Sequence, residues 1–414
     1  MADVQTACFQ AAQQVTDCCR SVARFSETPG ATTRTFLCDA MNDCHAFLRS
    51  WMESAGMKVT LDRVGNLRGY YPGETAGAPT FVLGSHLDTV PNAGAFDGVL
   101  GVAIGISLVQ LLGGRRLPYA LEIVGFSEEE GIRFGIPFIG SLGWLGELPA
   151  RVLEAKDKAG ISVRETIQRF RHGVDGEAPN EPSRRAGFLE FHIEQGPVLD
   201  TLGLPVAPVT AIAGQTRASV TFRGSANHAG TTPMHLRKDA AAAIAEWILA
   251  VEGIARSVEG LVATVGALEV LPGASNVIAG ECRATLDVRH ADDSVRNMAA
   301  QKLLERAEKI AGARRLTVEH WTRMNQRAVP MDACLLSTVE KAFLAVGLEP
   351  HRTVSGAGHD AMIIAEHMPA AMVFVRSPGG ISHHPAETVL VEDIEMALRV
   401  GLTFLDQLIV EELR

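Results

Sequence analysis

The 414-residue sequence predicts an α/β fold, a doubly wound and mostly parallel sheet, interrupted by an inserted ferredoxin-like α+β module. Three observations predict it. Short apolar runs alternate with helix-spaced segments early in the chain and again near its end, the rhythm of a parallel sheet with helical crossovers. Between about residues 213 and 326 the order changes to β-α-β-β-α-β, that of a self-contained split βαβ unit. Imidazole and carboxylate residues collect just after the apolar runs, where open α/β sheets bind their ligands. The expected domains are residues 1–212 with 327–414, and the insert 213–326.

In chain order, residues 3–25 and 35–55 have helical spacing, with Phe36, Leu37, Met41, Phe47, Leu48 and Trp51 as a core-facing stripe. Met57 to Leu67 alternates as a strand does, and Gly69-Tyr-Tyr-Pro-Gly-Glu74 reads as the turn that ends it. A buried strand at 80–84, an apolar helix at 98–112 and a strand at 119–126 follow. Residues 146–186 read as a polar surface excursion, and 187–193 as a further strand. The insert comprises strand 216–223, helix 238–257, strands 261–270 and 281–289, helix 294–311 and strand 315–324. The sheet pattern resumes with a helix at 333–346 and a strand at 371–375.

Hydrophobic residues make up 47% and charged residues 21%, ordinary for a soluble globular protein. A net charge of −10 disfavours nucleic acid or an anionic membrane as partner. The N-terminus lacks the basic flank and apolar core of a signal peptide. The longest apolar stretch, Val99 to Leu112, carries Ser107 and Gln110 and is too short to span a bilayer, so a cytoplasmic protein is expected. Five of the seven cysteines (Cys8, Cys18, Cys19, Cys38, Cys44) fall on the N-terminal helices with no Cys-x-x-Cys pair. That pattern points to packed, reduced thiols rather than a zinc or redox motif.

The candidate chemistry lies at strand ends. His86 and Asp88 follow the run Phe81-Val-Leu83, and Asp97 stands just before the helix at 98–112. A neutral imidazole and a carboxylate there suit a divalent metal, with Asp88 fixing the His86 tautomer. The plainer alternative is a helix N-cap at Asp97 and a loop histidine. Ser127-Glu-Glu-Glu130 follows the strand at 119–126. Three adjacent carboxylates repel unless solvent or a cation offsets them, so the run is either a solvated loop or part of a metal site. His192 ends the strand at 187–193, where a lone histidine is more often a core residue than a ligand. Two more, His383 and His384, sit in a Gly/Pro loop beyond the strand at 371–375. Four strand ends delivering His, Asp, Glu, His and His to one edge favour a metal centre.

Six motifs resemble one family: Gly84-Ser-His-Leu-Asp-Thr-Val90, Gly94-Ala-Phe-Asp-Gly-Val-Leu-Gly101, Glu129-Glu-Gly-Ile-Arg-Phe134, Phe191-His-Ile-Glu-Gln-Gly-Pro197, Asn227-His-Ala-Gly-Thr-Thr-Pro-Met234 and Gly380-Ile-Ser-His-His-Pro-Ala-Glu387. It is the hydantoinase/carbamoylase branch, which includes allantoate amidohydrolases, of the di-metal aminoacylase and carboxypeptidase-type hydrolases. The resemblance runs in order from about residue 20 to the C-terminus. It implies two divalent cations per subunit, Mn²⁺ or Zn²⁺, with Asp97 bridging, His86 and His192 completing one set of ligands and Glu130 and His383 the other. Glu129 matches the general base and Asp88 the residue that orients His86. His228 resembles the group that stabilises the oxyanion, reaching into the partner subunit's site. Asn276 and Arg289 resemble the carboxylate anchors, and Gln195, Gln215, Gly358 and His359 further substrate contacts. For Arg289 alone, an exposed salt bridge would be the plainer reading.

The implied activity is hydrolysis of the terminal ureido or carbamoyl group of a small carboxylate by a homodimer whose insert serves as lid and dimerisation domain. The segment Glu27-Thr-Pro-Gly-Ala-Thr-Thr-Arg-Thr-Phe-Leu37 and the Arg68-Gly69 pair after Gly65-Asn-Leu67 resemble allantoate-type members, so allantoate is the first expectation. An N-carbamoyl-L-amino acid or β-ureidopropionate is the alternative. A dipeptidase fits less well, because Glu-Gln-Gly-Pro marks the ureido-cleaving branch. A metal-binding protein without activity would have no use for Glu129. Glu128, His384 and Ala279 depart from the residues common in the family (Asn, Asn and Pro), which bears on specificity and removes no ligand.

Overall fold

A computed structural model describes residues 2–171 and 184–410 of the chain. Its strands are β1 (Lys58–Leu61), β2 (Leu67–Tyr71), β3 (Thr80–His86), β4 (Ala120–Phe126), β5 (Arg185–Ile193) and β6 (Val206–Ile212). Then come β7 (Gly214–Arg223), β8 (Val262–Thr264), β9 (Leu268–Leu271), β10 (Glu281–His290) and β11 (Thr317–Gln326). The last are β12 (Val329–Pro330), β13 (Thr353–Ser355) and β14 (Ala370–Val375). The chain forms two compact units, Met1–Thr210 with Met331–Arg414, and Ala211–Pro330.

The first unit is built on a mixed sheet in the order β1-β2-β4-β3-β5-β14-β6, with β13 beside β6. Its four central strands, β4, β3, β5 and β14, are mutually parallel. The flanking pairs β1–β2, β2–β4 and β14–β6 are antiparallel, so the parallel character is confined to the centre. Every residue of β3, β4 and β14 is buried. Buried strands of that kind read as continuous apolar runs, which is why they were visible in the sequence. Successive side chains of β5 face opposite sides. Phe188 joins Phe126 and Trp144 of helix Ile139–Leu145, whereas Phe191 lies against Gly401 of helix Val391–Gln407. Helices therefore cover both sides, the arrangement of a doubly wound sheet.

Three expectations for this unit need correction. The strand expected over 57–67 is a hairpin, β1 and β2, whose turn is closed by Asp62: its Oδ1 accepts the N–H groups of Val64 (2.9 Å) and Asn66 (3.0 Å). An aspartate that mimics a backbone acceptor in this way turns the chain without leaving a break in apolar alternation. The Gly69-Tyr-Tyr stretch consequently lies within β2 rather than in a turn. The excursion at 146–186 is not merely surface, because Val152, Val163, Ile167 and Phe170 belong to the core, although residues 172–183 lie outside the described residues. Helix Val163–Arg171 has apolar residues on one side only, and its charged face dominated the reading of composition. The N-terminal thiols are packed as expected: Cys8, Cys18, Cys19, Cys38 and Cys44 are free and buried.

The second unit has the order β7, helix Ala240–Arg256, β8 and β9, β10, helix Asp293–Ala313, β11. The single strand expected at 261–270 is divided in two, both halves pairing with β10. The sheet runs β11-β7-β10-β8 with β9 also on β10, all antiparallel, as a split βαβ unit requires. Both long helices are N-capped by aspartates, Asp239 and Asp292. Their apolar faces, with Ile244, Trp247 and Leu303, share a core with Val220, Phe222 and Leu286 of the sheet. No helix among the described residues is long and apolar enough to cross a membrane.

Candidate metal centre

The four parallel strands end together, and their ends carry the donors. His86 is the last residue of β3 and is in register with Phe126, the last of β4; His192 is in register with Phe374 of β14. Glu129 and Glu130 follow β4, and His383 lies in the loop after β14. Asp97 stands two residues before the start of the apolar helix Val99–Leu111. It does not cap that helix, whose N-cap is Gly98 with no side-chain bond. Instead Oδ1 of Asp97 lies 3.3 Å from His192 Nε2 and 3.8 Å from His86 Nε2, and Oδ2 lies 3.2 Å from His383 Nε2. Gly98 permits this approach: its φ is +68°, and a Cβ there would press into the His86 ring. Glu130 Oε1 is 3.6 Å from His383 Nε2. Two donor triads share Asp97, His86–Asp97–His192 and Asp97–Glu130–His383, and the described residues bring together two further groups, His86–Glu129–Glu130 and Glu190–His192–His359.

The hydrogen bonding asks for cations. Nδ1 of His192 is 2.9 Å from the Ile193 carbonyl and Nδ1 of His86 is 3.0 Å from the Asp88 carbonyl. Carbonyls only accept, so Nδ1–H donates in each ring and Nε2 is left as a lone pair in the neutral form. The two Nε2 atoms face each other at 3.4 Å, an arrangement that needs a proton or a metal between them. Burial disfavours a charged His86, but the hydrogen bond and charge of Asp88 with the carboxylates of Glu129 and Asp97 outweigh it and hold its pKa well above the imidazole range. His192 is pushed down to about 4, chiefly by burial. Burial likewise pushes Glu130 up to about 7 and Glu129 well above its ordinary value. Such a surplus of buried carboxylates around closely spaced imidazoles is a donor set that fits divalent metals, which invert these shifts when bound.

The acidic run is not a solvated loop. Glu128 and Glu129 are buried, and Asp88, itself fully buried, accepts the backbone N–H of Glu129 at Oδ1 (2.9 Å) and of Glu130 at Oδ2 (3.1 Å). Asp88 Oδ1 is also 3.4 Å from His86 Nδ1, so one carboxylate holds both the imidazole and the glutamate loop. Glu128 turns inward and accepts the N–H of Gly131 (2.6 Å). Glu129 lies beside Gly358, where a Cβ would sit 3.8 Å from its Oε1. Gln195, at φ +57°, places Nε2 at 3.2 and 3.3 Å from the two Asp97 oxygens and 3.4 Å from His383 Nε2.

Residues 82–407 match peptidase family M20/M25/M40. The chain belongs to that family. It is 36% identical to allantoate deiminase 2 of Glycine max over 94% of this chain and 87% of the relative. It is 39% identical to an N-carbamoyl-L-amino acid amidohydrolase of Geobacillus stearothermophilus, over 90% and 92% respectively. A hydantoinase/carbamoylase-family amidase from Burkholderia multivorans has the same fold, with a TM-score of 0.90, 32% identity and coverage of 96% and 97%. Family M20 is metal-dependent, in keeping with the donor clusters.

The remaining expected site residues of this M20 chain fall into two sets. His359 is buried, stacks edge-on against His192 with centroids 4.4 Å apart, and bonds Ser355 Oγ through Nε2 (2.7 Å); its ring buttresses a donor and reaches no solvent. Burial, with His192 next, holds it neutral. Gln215, His228, Asn276 and Arg289 lie on the second unit. Gln215 and Arg289 are cross-strand partners on β7 and β10. His228 bridges Val277, and Ala229 N–H donates to the Asn276 carbonyl (2.9 Å), so His228 and Asn276 come from adjoining loops. Arg289 does make the salt bridge that its sequence context allowed: Nε and one terminal nitrogen reach Asp287, each at 2.9 Å. His384 is exposed, and its Nδ1 accepts the N–H of Ala386 (3.1 Å).

Sequence reasoning missed Glu190 and Asp360. Glu190 is fully buried on the same face of β5 as His192; it accepts from Ser85 Oγ (2.8 Å) and Ala361 N–H (2.9 Å), and burial pushes it up to about 7. Asp360 is fully buried, and among the described residues neither of its carboxylate oxygens has a partner within hydrogen-bond distance and geometry. The available signal was a glutamate two residues before His192 inside an otherwise apolar strand.

Proposed function

We propose that the chain is a metal-dependent amidohydrolase that cleaves the terminal ureido (carbamoyl) group of a small carboxylate, most simply allantoate, with release of ammonia. A hydrolase acting on C–N bonds is what the family and the two named relatives imply. The observation that carries the reading is Asp97, whose two oxygens each face imidazole from a different strand end. His86, Asp97 and His192 would hold one divalent cation, and Asp97, Glu130 and His383 a second, Mn²⁺ or Zn²⁺. Bound there, the pair supplies Lewis-acid polarisation and lowers the pKa of water.

The chain's own residues do the rest. Glu129, which groups with His86 and Glu130 but belongs to neither triad that contains Asp97, takes the proton from the attacking water and returns it to the leaving nitrogen. Asp88 holds the backbone of Glu129 and Glu130 while orienting His86. Gln195 keeps a buried amide oxygen that has no partner among the described residues, an acceptor suited to a ureido N–H. His228 would stabilise the developing oxyanion, while Asn276 and Arg289, with Gln215, hold the substrate carboxylate; a guanidinium grips both its oxygens. The second unit exposes Val262, Leu268, Val270, Trp321 and Met324 on its strands, an apolar surface of the kind that pairs subunits. On that ground the working form is a homodimer with sites shared between subunits.

The near-equal identity to an N-carbamoyl-L-amino acid amidohydrolase keeps that class as the second reading. The test is ammonia release from allantoate and a panel of N-carbamoyl amino acids, after loading with Mn²⁺ or Zn²⁺. Allantoate is expected to give the highest kcat/KM. Turnover of dipeptides alone would overturn the proposal.

A further inference from the structure

We propose that Glu387 is a positioning residue that locks Asp97 and His383 into one geometry, so that the second triad binds its cation as a single prebuilt unit. The inference rests on the ligand set proposed above and concerns a side chain outside it. Oε1 of Glu387 accepts the backbone N–H groups of Phe96 and Asp97, each at 3.0 Å, and the residue is 5% exposed. These are buried donors in an irregular loop, and a buried N–H left unpaired is costly. One carboxylate oxygen therefore fixes the backbone from which the shared Asp97 side chain projects.

The same residue closes the segment that carries His383. Glu387 N–H donates to the His384 carbonyl (2.9 Å) and Ala386 N–H to His384 Nδ1 (3.1 Å), making a compact turn over residues 384–387, directly after His383. His383 needs such an anchor. Its side chain is 48% exposed, against 3% for His86 and 1% for His192, so packing does not orient it. It also has a φ of +55°, which a histidine adopts only when its surroundings impose it. Glu387 thus ties an exposed, strained ligand to the buried loop of its co-ligand. Gly94 leaves the room for this: a Cβ there would collide with the Glu387 side chain.

The test compares Glu387→Ala, Glu387→Gln and Gly94→Ala by calorimetric titration of the metal-free proteins with Mn²⁺ and Zn²⁺, alongside urea unfolding without metal. The wild-type chain is expected to bind two cations. Glu387→Ala should weaken one of the two by roughly 10–100-fold, the range for outer-shell partners of metal ligands, and the other, which shares Asp97 but not His383, by less. Glu387→Gln should stay within about threefold at both, because an amide oxygen still accepts two N–H groups. Gly94→Ala, which keeps the carboxylate but displaces it, should follow Glu387→Ala and serves if that variant does not fold. Unchanged affinity at both positions in Glu387→Ala and Gly94→Ala would overturn the proposal, as would Glu387→Gln falling as far as Glu387→Ala. A wild-type chain that takes up no divalent metal would overturn the ligand set and this proposal together.

Discussion

Replacing Asp88 tests whether one buried carboxylate holds the centre together. It accepts the backbone N–H of Glu129 and Glu130 and lies 3.4 Å from His86 Nδ1. Hydrogen bonds to a charged acceptor are worth about 1.5–3 kcal/mol each, so Asp88→Ala, which leaves two buried N–H groups unpaired, should cost about 3–6 kcal/mol of stability. In Asp88→Asn one oxygen remains for one N–H, while the amide NH₂ opposes the other, and about half that cost is expected. The functional consequence should be larger than the asparagine's effect on folding implies, because the loop carrying Glu129 and Glu130 and the His86 ring are released together. Metal affinity should fall roughly 10–100-fold, as for other partners of metal-bound histidines. Urea unfolding of the metal-free chain measures the first quantity, and calorimetric titration with Mn²⁺ the second. Should Asp88→Asn lose stability but bind metal as the wild type does, Asp88 would be a structural clasp only. Should it lose neither, the two N–H bonds would carry no net energy and the reasoning fails.

Four further outcomes are expected. Glu129→Gln should retain both cations while kcat falls by a factor on the order of 10² or more; loss of metal by elemental analysis would mean that Glu129 and Glu130 exchange roles. Arg289→Lys should raise KM, since it keeps charge but loses the planar fork that Asp287 holds, and unchanged kinetics would remove Arg289 from the substrate site. Mixing His228→Ala with Glu129→Gln under subunit exchange should restore part of the activity if sites are shared; confirmed exchange without recovery would place His228 in its own subunit's site or in none. His45 is buried against Phe170 with neither ring nitrogen hydrogen-bonded among the described residues, and burial pushes its pKa down to about 3 from 6.5. The unfolded chain therefore takes the proton first, so His45 has no effect above pH 6.5 and destabilises as pH falls toward 3, by about 2 kcal/mol at pH 5. His45→Leu should flatten the decline in urea stability between pH 7 and 5, and parallel curves would refute it.

The central strands were legible because a strand buried on both faces is an unbroken apolar run, and β3, β4 and β14 are buried at every residue. The β1–β2 hairpin was not. Its turn is made by the Asp62 side chain, not by a glycine–proline pair, so alternation seemed to continue through it. The insert's order was legible from its two long amphipathic helices and the strands around them. The division between β8 and β9 was not, since both halves are exposed on most residues and pair with one strand, β10.

The proposed donors drew attention for a chemical reason. Singly, His86, Asp97, Glu130, His192 and His383 each have a plainer reading, but packing has no use for all five collected at one sheet edge, so as a set they stood out from their surroundings. The residues that hold them did not stand out, because what they do depends on neighbours remote in sequence. Ala361, whose N–H fixes Glu190, is 171 residues away from it, and Glu387 meets Asp97 across 290. A glutamate in a strand or a loop has many uses, and only the fold says which backbone N–H it faces. Spacing therefore finds the atoms that would bind metal, while the rigidity that makes them bind one geometry well is a property of the folded sheet edge.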